Sequence, residues 1–118
     1  MNTTQTKGLL HFTSPHQNAT TATLLEITLQ SHGMKVLARV NHAKAAAGAG
    51  LELRPTELLI FGNPAAGTPL MQKRQTAAID LPQKALVWQD EDGVVRITFN
   101  DPQYLMKRHG IEDDTVAT

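Results

Sequence analysis

The side chains best suited to metal or haem ligation in this 118-residue sequence are its five histidines. They are His11, His16, His32, His42 and His109. None is spaced as His-x-His, His-x-x-x-His or His-Glu-x-x-His, so a metal site would have to be assembled by the fold or across a dimer. An isolated histidine is more often a hydrogen-bonded structural residue. The sequence therefore predicts no metal site and indicates no particular cofactor.

Acid–base catalysis is a second chemistry that the residue types allow. Asp80 stands before Leu81-Pro82, where its carboxylate fits either a turn acceptor or a general base. An enzyme would combine Asp80 with His42 or His109, but no spacing ties these residues together. The sequence assigns no catalytic residue and no reaction, so the question of enzyme activity stays open.

The segment from Gly62 to Thr68 offers a possible anion site. It follows the apolar run Leu58–Phe61, which is typical of a buried strand, and Thr68-Pro69 is typical of a helix start. Free amides at a helix N-terminus bind anions, yet the lysine and spacing of a P-loop are missing. We therefore favour an architectural role and keep anion binding as the alternative. The residues concerned are Gly62, Asn63, Pro64, Gly67 and Thr68.

Composition limits the classes of partner. Eleven basic and eleven acidic side chains give a formal net charge of zero, which argues against nucleic acid as a ligand. No stretch approaches the roughly 18 apolar residues of a membrane span. The absence of cysteine excludes disulfides and thiolate chemistry within the chain. We expect a cytoplasmic protein with no nucleic-acid or membrane partner.

Hydrophobic patterning predicts one α+β domain over residues 8–111, with a disordered segment 1–7 and a mobile acidic tail 112–118. The expected order is β-α-β-β-α-β-β-α, with a mainly antiparallel sheet and helices packed on one face. We expect the first strand to pair with the second, Asn18 or a nearby threonine to cap the first helix, and Asp90 to lie in a solvated hairpin turn. The expected segments are Leu9–Phe12, Asn18–His32, Met34–Val40, Glu57–Phe61, Pro69–Ala78, Lys84–Gln89, Val94–Asn100 and a helix after Asp101-Pro102, with Ala43–Gly50 forming a helical turn or a loop.

Eight segments of the sequence match the motifs of a known family: Asn41-His42, Gly50–Thr56, Leu59–Pro64, Gly67–Met71, Asp80-Leu81-Pro82, Asn100-Asp101-Pro102, Tyr104-Leu105 and Arg108-His109. Together they resemble the bacterial and archaeal family called domain of unknown function 302. The resemblance covers about residues 8–111 and implies a fold of the TATA-binding-protein-like class, usually paired as a homodimer, with no known reaction. The family commonly has an Asp-His pair where this chain has Asn41-His42, so a charge-dependent role of His42 is in doubt.

These observations favour a small-ligand-binding or accessory module of unknown specificity, with a small molecule or an anion as ligand. The alternatives are an enzyme and a structural module that binds other proteins. We expect a pocket that joins Asn41-His42, the Gly62–Thr68 segment and the helix after Asp101. The candidate ligand-binding residues are His42, Gly62, Asn63, Pro64, Gly67, Thr68, Asp80 and His109.

Overall fold

The computed structural model of the protein describes residues 6–111, which form an α+β domain built on one five-stranded sheet. The expected antiparallel sheet is confirmed, because every pair of neighbouring strands runs antiparallel. The expected tail 112–118 lies outside the described residues. The elements are β1 (Leu9–Ser14), α1 (Asn18–Ser31), β2 (Lys35–Asn41), α2 (His42–Gly48), β3 (Thr56–Gly62), α3 (Pro64–Lys73), a 3₁₀ helix (Gln75–Asp80), β4 (Gln83–Gln89), β5 (Val95–Asn100) and α4 (Pro102–Arg108).

The strand order is β1-β5-β4-β3-β2, so the expected pairing of the first two strands is wrong. The two strands lie at opposite edges of the sheet. Helix α1 has 14 residues and a length of about 21 Å, which matches the width of about 19 Å across five strands. The helix therefore carries the chain from one edge to the other. Alternating hydrophobicity identifies a half-buried strand but not its partner.

The core lies between α1 and one face of the sheet. Ala22 on α1 and Leu59 and Val87 on the sheet are 0% exposed. Leu25 and Leu29 follow Ala22 along the same side of the helix, at the i+3 and i+7 spacing of a helix that covers a sheet. The predicted span of this helix is confirmed to within one residue, but its cap is not. Gln17 occupies the cap position, and Asn18 is turned inward, where its Nδ2 donates to Val87 O at 3.2 Å.

Helix α3 begins five residues earlier than the sequence predicts. Asn63 is the N-cap, since its Oδ1 accepts from Ala65 N at 2.9 Å, and Pro64 follows in the first turn. Pro69 is inside the helix, so the expected cap at Thr68 is wrong. Both sites carry a cap residue followed by proline, and the one nearer the strand starts the helix. The helix also ends early, at Lys73, where the 3₁₀ helix takes over.

Two other local features differ from expectation. Residues 42–48 form the helix α2, with Asn41 Oδ1 accepting from Lys44 N at 2.9 Å, so of the helical turn and the loop expected for Ala43–Gly50 the helical alternative is right but extends to seven residues. Asp90 is only 8% exposed, and its side chain stabilises the turn of the β4–β5 hairpin. The interpretation of a solvated turn is therefore wrong for this residue. Its carboxylate accepts from Asp92 N and Val94 N at 3.0 Å each and from Arg96 Nε at 2.9 Å. The hairpin itself is confirmed.

Candidate functional site

The structure brings Asp80 and His109 together. Asp80 is the last residue of the 3₁₀ helix, and His109 caps the C-terminus of α4. His109 Nε2 and Asp80 Oδ2 are 2.6 Å apart, and Arg108 Nη1 donates to both Asp80 oxygens, at 3.1 and 3.2 Å. Such charge-assisted bonds are the strong class of hydrogen bond. The carboxylate therefore fixes the orientation of the imidazole and joins two segments that lie 29 residues apart in sequence.

This pair forms part of the wall of a small cavity at one end of the sheet. The cavity measures about 50 Å³. Its apolar side comes from α3, the 3₁₀ helix and α4, including Leu70, Ala77 and Leu105. Its polar lining residues are Asp80, Gln83, Lys84, Asn100 and His109. A polar group in this cavity would therefore meet hydrogen-bonding side chains on one side and hydrocarbon on the other.

Positively charged side chains outnumber negatively charged ones around the cavity. Asp80 is the only acidic residue among those that line it, and that carboxylate is already paired with Arg108. Lys84 lines the cavity, and its Nζ makes only a long 3.4 Å contact with Pro82 O. A further guanidinium is close by, because a Cβ built on Gly110 would lie 3.7 Å from Arg74 Nε. The local excess of positive charge suits an anion.

The segment Gly62–Thr68 lies beside this region but does not line the cavity. A Cβ on Gly67 would lie 3.7 Å from Leu81 Cδ1, and one on Gly62 would lie 3.4 Å from Pro82 Cβ. The first amides of α3 are already occupied, since Ala65 N bonds to the Asn63 side chain and Ala66 N and Gly67 N bond to Asn63 O. The segment thus turns the chain from β3 into α3 and has no row of free amides.

His42 lies at the other end of the sheet. It is exposed at the first position of α2, directly after Asn41, which pairs with Glu57 near the start of β3. Gly62 ends β3 and pairs with Lys35. The five steps along β3 from Glu57 to Gly62 correspond to about 17 Å. The expected pocket shared by His42, the Gly62–Thr68 segment and the helix after Asp101 is therefore not formed.

Sequence reasoning missed three residues of this region: Lys84, Asn100 and Arg108. Lys84 lies on β4 and Asn100 lies on β5, and both line the cavity. The alternation of side chains along a strand shows which residues share a face, but it does not show that residues of two strands line one cavity. Arg108 was named only within the Arg108-His109 segment that resembles the family. The available signal was adjacency in the sequence. Arg108 directly precedes His109, so a carboxylate that binds His109 lies close to Arg108 as well.

The Asp80–His109 pair does not extend to a metal centre. Within residues 6–111, no group of three or more His, Asp or Glu side chains is close enough to hold a metal ion. A metal in a protein takes four or more ligands, of which at least three normally come from side chains in a zinc site. The described arrangement fits hydrogen bonding to a ligand or proton transfer better than metal ligation.

A five-stranded antiparallel sheet, covered by a long helix and carrying a small polar cavity at one end, defines a small α+β domain. The amino-acid sequence assigns this domain to a family. Residues 10–118 match the family described as "Domain of unknown function DUF302". The chain belongs to this family.

The chain is also similar to parts of longer curated proteins. The chain is 47% identical over 104 residues to "Fluoride-specific ion channel FluC 1" of Brucella suis biovar 1 (strain 1330), a match that covers 88% of this chain and 41% of that protein. The protein of the same name in Brucella abortus biovar 1 (strain 9-941) matches at the same identity over 38% of its length. This chain thus spans about two fifths of these relatives.

The fold is shared with the crystal structure of an uncharacterized conserved DUF302 protein from Bacillus stearothermophilus. The TM-score is 0.82 at 20% sequence identity, over 95% of this chain and 86% of the other. At this identity the likeness concerns the fold alone. Across residues 6–111, no helix combines the length and the hydrophobicity that a membrane crossing requires.

Proposed function

We propose that this domain binds a small anion in the cavity beside Asp80 and His109. The observation that carries the proposal is the 2.6 Å contact between these two side chains on the wall of a cavity with a positive surrounding. Asp80 acts as a positioning residue, because it holds the imidazole through Nε2. Among residues 6–111, no side chain or backbone group hydrogen-bonds His109 Nδ1, and this atom donates to an anion when the imidazole carries a proton on both nitrogens.

The size of the cavity supports a ligand of few atoms. A space of about 50 Å³ accommodates roughly three to five water-sized groups, since one buried water needs about 10–15 Å³. Formate, acetate, bicarbonate and nitrate fit this limit. A nucleotide or a drug-sized molecule, which normally occupies some 300 Å³ or more, does not. The apolar wall formed by Leu70 and Leu105 favours a carboxylate with a short hydrocarbon part.

Titration of ¹⁵N-labelled protein with sodium acetate tests the proposal, with sodium chloride at equal ionic strength as the reference. We expect acetate to shift the backbone signals of residues 80–84 and 105–111. His109→Gln should abolish these shifts, whereas Lys107→Gln, an exposed neighbour that does not line the cavity, should leave them intact. Absence of shifts with acetate, formate, bicarbonate and nitrate would refute anion binding in this cavity.

A second candidate function is an accessory module that works beside a fluoride channel. The 47% identity to part of proteins named fluoride-specific ion channels favours it. The test is to replace the matching part of the Brucella suis protein with this chain and to measure fluoride efflux from liposomes. Efflux near that of the parent, lowered by Asp80→Asn in the inserted chain, would support this function. Efflux that is indifferent to deletion of the whole segment would count against it.

We also propose that the protein is a homodimer in the cytoplasm, as the family resemblance and the composition led us to expect. Light scattering coupled to size-exclusion chromatography measures the mass in solution against the 12.9 kDa of one chain. A mass that stays at that of one chain over a hundredfold range of concentration would rule out the dimer.

A further inference from the structure

The two edges of the sheet differ in their chemistry. At one edge, β2 carries Lys35 and Arg39, and its pairing with β3 is irregular between Val36 and Ala38. Charged side chains and bulges are devices by which proteins keep an edge strand from pairing with another chain. At the other edge, β1 has no lysine, arginine, acidic residue or proline, and its register with β5 is regular. Within the described sheet, only the β1 edge is therefore open to a further strand.

The hydrogen-bond pattern shows which backbone groups of β1 face this open edge. Asp101 N donates to Gly8 O at 2.8 Å, which continues the register of β1 and β5 by one hydrogen-bonded pair. Such pairs alternate with pairs that are not hydrogen-bonded along an antiparallel ladder. Every second residue from Gly8 onward therefore bonds to β5, and the residues between them turn their amides and carbonyls outward. The outward-facing residues of β1 are Leu9, His11 and Thr13.

The part of the sheet next to the open edge also has exposed apolar surface. Helix α1 packs mainly over β2, β3 and β4. Phe12 of β1 is 54% exposed, although its ring stacks on Phe99 of β5 with the ring centroids 5.5 Å apart. Aromatic side chains are among the largest apolar groups whose burial stabilises a contact. A partner strand at β1 would cover apolar surface that α1 leaves open.

We propose that β1 pairs with β1 of a second copy of this chain, antiparallel and about a two-fold axis, so that the two sheets become one. This inference rests on the proposed homodimer and names its interface. The two-fold arrangement uses the same edge of both copies. Because each chain has one open and one blocked edge, pairing of the open edges leaves only blocked ones, and assembly stops at the dimer.

One register uses the strand most fully. In it His11 lies opposite the partner's His11 at the axis, and Thr13 N donates to the partner's Leu9 O. Phe12 then lies opposite the partner's Leu10, on the face of the sheet that carries α1. The ring of His11 leans towards β5, because its Nδ1 is 2.7 Å from Thr98 Oγ1. Apolar side chains thus meet on one face, and neither strand brings a lysine, an arginine or a carboxylate to the axis.

The mass in solution and the exchange of two amides test this interface on the full-length protein. By light scattering coupled to size-exclusion chromatography, we expect twice the 12.9 kDa of one chain. By NMR, we expect slow hydrogen exchange at the His11 and Thr13 amides, which face outward in a single copy. The mass of one chain at every concentration would refute both the homodimer and this interface. A dimer with fast exchange at both amides would retain the homodimer and overturn the pairing of β1.

A proline in β1 tests the backbone pairing. Thr13→Pro removes an outward-facing amide hydrogen and breaks no hydrogen bond to β5. Two symmetry-related bonds are lost from the dimer, so we expect its dissociation constant to rise roughly 10–100-fold. Thr13→Ala, which keeps the amide, is the matched control and should change the constant by less than about threefold. Equal dissociation constants of the two variants would overturn the proposal.

A lysine on β1 tests the apolar contact. Phe12→Lys should raise the dissociation constant by roughly tenfold or more, because it removes the ring and places a charge at the edge. Ile27→Lys is the control, since Ile27 is 56% exposed on α1 and follows Glu26, which contacts Arg39 of the opposite edge. If Thr13→Pro does not fold, this pair of variants decides. Equal effects of Phe12→Lys and Ile27→Lys would place the dimer interface elsewhere and overturn the proposal.

Discussion

The imidazole of His109 lies 2.6 Å from the carboxylate of Asp80 and joins the C-terminal end of α4 to the end of the 3₁₀ helix. The two residues are 9% and 17% exposed at their side chains, so the pair is largely shielded from solvent. Arg108 holds the same carboxylate from the more exposed side. The contact therefore serves the architecture of this end of the sheet as well as the cavity next to it.

We expect Asp80→Asn to destabilise the protein by about 1–2 kcal/mol, because the neutral amide has a single acceptor oxygen and weakens or loses the three charge-assisted hydrogen bonds from His109 and Arg108. Urea denaturation at pH 7 measures the change in the free energy of unfolding. Asp92→Asn is the control, since Asp92 is exposed in the hairpin turn and its side chain makes no ion pair within residues 6–111. Equal stability of the two variants would show that the Asp80–His109 contact contributes nothing.

The start of α3 leads to a second prediction. We expect Asn63→Ala to lower the free energy of unfolding by about 1 kcal/mol, because the cap to Ala65 N is lost. Thr68→Ala should change it by less than about 0.5 kcal/mol, since Thr68 is an exposed residue inside the helix. Urea denaturation of both variants provides the comparison. A larger loss for Thr68→Ala would restore the helix start that the sequence predicts.

The elements could be predicted from the sequence where one local signal dominates. The strand pattern of Val95–Asn100 and the proline after Asp101 have a single interpretation, and the structure confirms it. At Asn63-Pro64 and Thr68-Pro69 the same signal occurs twice within one helix length, and local chemistry does not say which one starts the helix. Pairing of β1 with β5 is a contact between distant segments, and no periodicity within a strand encodes it.

The candidate site was predictable only in part for a similar reason. Asp80 and His109 were chosen as chemically capable residues, and the structure places them in contact. Their contact arises because the 3₁₀ helix before β4 and α4 after β5 leave the sheet at the same end, which requires the strand order. His42 was grouped with them by residue type alone. An antiparallel register places it at the far end of the sheet.

Asp90 gives a prediction for the pH dependence of stability. Hydrogen bonds from Val94 N, and then from Arg96 and Asp92 N, hold the pKa of this carboxyl below its usual range. A lowered pKa in the folded state means that the stabilisation is complete above the unfolded pKa of about 4 and is lost as the pH falls through the folded pKa. We expect Asp90→Asn to be less stable than the parent at pH 7, with a difference that shrinks towards pH 2. Thermal unfolding between pH 2 and 7 measures it.

The control for this pH profile is Glu91→Gln, the exposed neighbour in the same turn. Its stability should follow the parent at every pH, because Glu91 makes no ion pair within the described residues. If Asp90→Asn and Glu91→Gln give the same profile, the hydrogen bonds of Asp90 do not account for the acid sensitivity of the hairpin.

Gly8 and Gly33 provide a matched test of packing at the start of the sheet. Both have a positive φ, of 82° and 80°, but a Cβ on Gly8 would lie 2.6 Å from Tyr104 Cδ2, whereas one on Gly33 would meet no atom within 4 Å. Gly33→Ala should destabilise the protein by about 1–2 kcal/mol from backbone strain alone. Gly8→Ala adds a clash of about 1–3 kcal/mol, for a total of about 2–5 kcal/mol.

A double-mutant cycle separates the two effects at Gly8. In the Tyr104→Ala background the ring is gone, so Gly8→Ala should cost only the strain of about 1–2 kcal/mol that Gly33→Ala shows. Urea denaturation of the four proteins gives the coupling energy between positions 8 and 104. A coupling of at least about 1 kcal/mol places the Tyr104 ring against the backbone that leads into β1 and pins α4 beside the Asp80–His109 cavity. Additive effects would mean that α4 moves away from β1 at little cost, and the cavity wall that contains His109 would then not be fixed by this contact.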